Sequence, residues 1–122
     1  MLTHVHQTLL AHLAGLDAPV FHENCVPQGQ GFPYITLAAS LPGISAQSGT
    51  LTLTCWCHGP SAHSHRLALA DSILALIPSD GLRLDCPQGR IVLRGDGDIQ
   101  CVRSGEALGI RMVCALQFFP RV

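Results

Sequence analysis

"TLTLTCWC", residues 50–57, alternates threonine or tryptophan with leucine or cysteine over its whole length. A period of two predicts a β-strand with Leu51, Leu53, Cys55 and Cys57 on one face. Thr50, Thr52, Thr54 and Trp56 then occupy the other. The leucine–cysteine face reads as a core row in which cysteine serves as a small hydrophobe. On a regular strand Cys55 and Cys57 stand about 6.5–7 Å apart, whereas a disulfide needs Cβ atoms at about 3.5–4.5 Å. The two thiols therefore do not bond there. One zinc ion, with sulfur at about 2.3 Å, also sits poorly between them. Trp56, at the end of a threonine row, fits an interface anchor; packing beneath a loop is the competing expectation.

Working outward, Gly59-Pro60-Ser61 ends this strand and starts a helix, with proline suited to the first turn. That helix is expected to reach Leu76 or Ile77. Leu69, Ile73 and Leu76 form one line, and Leu67, Ala70, Leu74 and Ile77 an adjoining one. Together they predict a wide apolar face that packs on a sheet. Residues 2–16 predict a second helix, with Val5, Leu9, Leu13 and Leu16 at spacings of three and four. "YITLAASL" (34–41), "RIVLR" (90–94) and "ALGIRMVCALQFF" (107–119) read as strands. In the last of these, Leu108, Ile110, Met112, Cys114, Leu116 and Phe118 share a face. Residues 20–22, 82–84 and 99–103 carry weaker strand signals. The segments 23–33, 42–49 and 95–98 are rich in glycine, proline or polar residues and read as loops or turns. The order predicts an α+β fold in one domain, 1–122: a mostly antiparallel β-sheet of about four main strands with two α-helices packed on one face.

Charged residues make up only 12% of the chain and hydrophobic residues 48%. A quarter charged is ordinary for a soluble domain, so part of the surface is expected to be neutral and covered by partner chains. The net charge of −1 argues against a broad basic patch gripping nucleic acid. No apolar run approaches the ~20 residues that span a bilayer, and the N-terminus lacks the pattern of a signal peptide. A cytoplasmic setting with free thiols is expected.

Catalytic signatures are missing from the sequence. There is no CxxC, no HExxH, no GxSxG, no phosphate-binding glycine loop and no EF-hand ladder. No acid/base pair stands out, so neither enzymatic activity nor a cofactor is expected. The alternative is a small cytoplasmic metal- or thiol-binding module using Cys55, Cys57 and His58, with His63 nearby.

Taken in order, the N-terminal helix, "VPQGQGFPYITL", the strand "LTLTCWC" running directly into an amphipathic helix, and "GRIVLRG" leading to "GIRMVCALQF" resemble a known family. They are similar to the tail terminator, or tail completion, proteins of long-tailed bacteriophages and prophages. The resemblance covers roughly residues 5–118, and "PYITL" with the tryptophan before the helix carries most of it. It implies a structural protein that forms a ring, commonly a hexamer, on the end of the tail tube. Such a ring stops tube polymerisation and joins the tail to the head. The implied partners are copies of the chain, the tail tube protein and the head–tail connector, without a membrane and without sequence-specific nucleic acid binding. The implied locations are the host cytoplasm during assembly and the tail–head junction of the virion. Trp56, Gln28 and Gln30 of the first loop, and Ile44 and Gln47 of the connector, are the candidate interface residues.

Overall fold

A computed structural model describes residues 2–41, 48–78, 80–95 and 97–120. Its elements run α1 (Leu2–Leu13), β1 (Val20–His22), β2 (Tyr34–Ser40), β3 (Ser48–Cys57), α2 (Ala62–Leu76), β4 (Leu82–Cys86), β5 (Gly89–Arg94), β6 (Ile99–Ser104) and β7 (Ala107–Pro120). All seven strands join one sheet in the order β1-β2-β3-β7-β5-β4, with β6 also paired to β7.

This corrects the expectation of about four antiparallel strands. The three short segments with weak signals all pair, and the sheet is mixed because β1 runs parallel to β2. The physical reason lies in the connection. Residues 23–33 are long enough to return the chain to the end of the sheet where it started, as a parallel pairing demands. The strand signal at residues 20–22 matches β1, but a three-residue strand shows no period, so sequence alone could not give its partner or direction.

β7 is the spine. One edge pairs with β3 from Leu108 to Gln117. The other edge pairs with β6 over Ala107–Met112 and with β5 over Ala115–Pro120. The chain crosses from β5 to β6 beside Val113, where a Cβ at Gly97 would collide with the Val113 carbonyl oxygen. Only glycine passes so close to another backbone.

Alternation then assigns the faces. Leu51, Leu53, Cys55 and Cys57 of β3 lie opposite Cys114, Met112, Ile110 and Leu108 of β7. Ile35 and Leu37 extend this apolar surface on one side, Ile91 and Leu93 on the other. Both helices join the same buried cluster, α1 through Val5, Leu9 and Leu13, and α2 through Leu69, Ala70 and Ile73. α2 lies over β3 and β7. α1 touches both β1 and β4, the two ends of the strand order, so the sheet curls around the helices. Among the described residues no helix is long and apolar enough to cross a membrane.

The apolar face of α2 is divided rather than continuous. Ile73 is fully buried, but Leu67 and Leu74 are 42% and 37% exposed. The sheet covers an arc centred on Ala62, Arg66 and Ile73, and Leu67 and Leu74 lie beyond it. Ile73→Ala is therefore expected to lower the unfolding free energy by about 2–5 kcal/mol. Leu74→Ala in dilute solution should stay within about 0.5 kcal/mol of wild type. Urea denaturation at low protein concentration measures both.

Candidate partner interface

Trp56 lies on the sheet's outer face, opposite the core row. Its neighbours in register are Tyr34 on β2 and Gly109 on β7, and Gly109 in turn faces Val102 on β6. The indole fills the space that Gly109 leaves open. A Cβ at Gly109 would lie 2.8 Å from Trp56 Cε3 and 3.0 Å from Val102 Cγ2. A glycine in mid-strand is normally a weakness; here it lets a large ring lie flat across β7.

From below, Arg66 of α2 braces the same point. Its Nη1 donates to the carbonyl oxygens of Gly109 (2.8 Å) and Val102 (3.3 Å). Its Nε donates to His63 Nδ1 at 3.0 Å, and its Nη2 lies 2.8 Å from the same atom. An arginine only donates, so Nδ1 is the acceptor and the His63 proton sits on Nε2. Arg66 is buried without a carboxylate partner among the described residues. Two carbonyls and an imidazole satisfy it instead, which ties the start of α2 to the β6–β7 hairpin.

Around Trp56 the outer face is aromatic. Phe32 packs against Tyr34 with ring centroids 5.3 Å apart and stacks on His58 at 5.4 Å. Phe21 meets Tyr34 edge-on at 6.5 Å. Four of the chain's six Phe, Trp and Tyr residues thus gather at one end of a solvent-facing surface. Phe32, Tyr34 and Trp56 border an open depression of about 470 Å³, with Val26 and Phe32 on the loop side and Arg111 on β7 opposite. Phe32 is the most open of the set, at 43% exposed.

The sequence-derived candidates divide between places. Trp56 is in the depression. Gln28 and Gln30 belong to the adjoining loop but do not line it. Gln30 folds back, donating from Nε2 to the Gly31 carbonyl oxygen at 3.2 Å. Ile44 and Gln47 lie outside the described residues. Phe32 and Tyr34 were missed, although Tyr34 opens a strand whose alternation gives it the opposite face from Ile35.

The residues of the metal or thiol reading separate as well. Cys55 and Cys57 are buried in the core row. His58 lies beyond the strand end, its Nε2 3.6 Å from Glu106 Oε2. Burial, and secondarily the neighbouring Cys57, push the Cys55 thiol up to about 12. Burial also raises Cys57, against a smaller lowering by Arg66. Both remain protonated thiols at neutral pH, poor as nucleophiles and as ligands. Among the described residues no group of three or more His, Cys, Asp or Glu is arranged to hold a metal ion.

Compared with protein-family models, curated proteins and solved structures, the chain matches none.

Two measurements check this geometry. Gly109→Ala should destabilise the fold by about 1–3 kcal/mol, the cost of overpacking, and shift the emission of the chain's single tryptophan as the indole is displaced. In native protein a thiol reagent should modify Cys25 and Cys101, which are exposed, and spare the four buried cysteines until the chain unfolds.

Proposed function

We propose that this chain is a structural assembly protein of a phage or prophage tail, of the tail terminator type. In this reading it forms a ring on the end of the tail tube, ends polymerisation there and offers the surface that joins the head. The observation that carries the proposal is the aromatic end of the outer sheet face. Large, rigid aromatic side chains gathered on a solvent-facing surface are the usual energetic anchors of protein–protein contacts. Phe32, Tyr34 and Trp56 are held by neighbours on three strands and one loop, so they are ordered before any partner arrives. That lowers the entropy cost of docking.

Two further features support an assembly role over a catalytic one. The depression joins its aromatic rings to the hydroxyls of Thr36, Thr54 and Ser104, one arginine and one glutamate, and among the described residues none of these hydroxyls is hydrogen-bonded to a base. The resemblance carried by the sequence, from the N-terminal helix to the long final strand, points the same way. The partner assigned to the aromatic end is the tail tube.

Phe32 gives the cleanest test because it is exposed. Phe32→Ala should leave the melting temperature within about 3 °C of wild type. The experiment mixes the chain with a phage tail tube protein from its source genome and follows tube growth by electron microscopy. Wild type is expected to sit at one tube end and stop growth, and the Phe32→Ala chain to lose both properties. Tubes that grow unchanged and carry no wild-type chain at their ends would refute the proposal.

A further inference from the structure

α2 is apolar on both sides. Toward the sheet it presents Ala62, Leu69, Ala70 and Ile73, with the buried Arg66 among them. Toward solvent it presents Leu67, Ala68, Asp71, Leu74 and Ala75, all exposed, with Asp71 the only charge among them. An apolar stripe on a helix normally packs against another surface. Leu74 borders a small cleft beside Gly97 and Ile99, and the rest of the stripe lies open.

The opposite side of the molecule carries a complementary surface. On the outer face of β4, β5 and β7, Arg83, Arg90 and Arg94 surround Val92 in a depression of about 550 Å³ floored partly by Phe119. The strand register fixes this arrangement. Arg83 lies directly across from Val92, and Arg90 and Arg94 flank it along β5, each about 7 Å away. Asp85 lies 3.1 Å from Arg90 Nε, an exposed pair. Arg83 and Arg94 have no acidic partner among the described residues. Phe119 is 46% exposed.

We infer that the α2 stripe of one copy docks into the arginine-lined depression of the next. Asp71 enters between Arg83 and Arg94, and Leu67 and Leu74 pack on Val92 and Phe119. Each surface supplies what the other lacks: one is apolar with a single anion, the other cationic with an apolar floor. The apolar and ionic parts are centred on the same few residues on both sides, so one docking pose satisfies both. Guanidinium groups held close together repel one another, and a carboxylate placed between them relieves that repulsion with charge-assisted hydrogen bonds. The two surfaces lie on opposite sides of the subunit, so the contact is head-to-tail and propagates into a ring when the rotation closes. This pairing rests on the ring-forming role proposed for the chain and leaves the aromatic end free for the tube.

The test uses charge reversal on each surface. Sedimentation velocity is measured for wild type, for Asp71→Arg, and for the double variant Arg83→Glu with Arg94→Glu. Circular dichroism verifies that each is folded. Each variant alone should weaken self-association on the order of thirtyfold or more. An equimolar mixture of the two should restore it. In alternating order each charge-reversed stripe meets a charge-reversed depression, and each unchanged stripe meets an unchanged one. Folded variants that assemble like wild type, or a mixture that fails to recover, would overturn this docking and leave the ring reading standing. A wild-type chain still monomeric at about 1 mM would overturn both. Wild-type assembly insensitive to the reversals, together with binding of a labelled DNA 20-mer lost in the arginine variant, would reassign the depression to a nucleic-acid backbone.

Discussion

The fold depends on β7 being shared. Fourteen residues of one strand pair with β3 along one edge and with β5 and β6, end to end, along the other. Such a strand has a single way to satisfy both sides. Its apolar row, Leu108 to Phe118, must face the helices, and Gly109, Arg111, Gln117 and Phe119 must face outward. A slip of one residue would turn Arg111 into the core and Met112 into water. Through the ladder this choice fixes the orientation of β3, β5 and β6, and at one remove that of β2 and β4.

That constraint places the two outer surfaces. Trp56 lies flat because β7 brings Gly109 beneath it. The arginines converge because β7 holds β5, which holds β4. Apart from Phe118, the inner face is filled by aliphatic side chains, methionine and cysteine, so most of the aromatic rings are outside. A chain with so few charges then has an outer surface made of aromatic, threonine and arginine side chains, together with an apolar helix stripe. In the proposed assembly role, self-association would remove that surface from water, and burying apolar area of this kind is the dominant favourable term in assembly.

Much of this architecture was legible in the sequence. The alternation of residues 50–57 and 107–119 identified the two central strands and their inner rows. The cysteines at 55 and 57 read correctly as core residues because strand geometry forbids their pairing. What stayed hidden depends on pairing between distant segments. β1 is too short to show a period, and its parallel direction follows from a loop, not from its own residues. Leu67 and Leu74 have the spacing of core residues, and only the width of the sheet beneath α2 excludes them. The alternation in "LRLDC" and "GRIVLR" does put Arg83, Arg90 and Arg94 on the polar side of their strands. It does not reveal that those strands lie side by side, so a net charge of −1 conceals a cationic face.

The central claim is that these outward surfaces are covered by protein when the chain works. Hydroxyl-radical footprinting at rising protein concentration measures this residue by residue. The account predicts that oxidation of Leu67, Leu74 and Phe119 falls as the chain assembles, while Cys25, exposed in the loop after β1, stays reactive. Oxidation of Leu67, Leu74 and Phe119 that is unchanged between dilute monomer and assembled protein would contradict it.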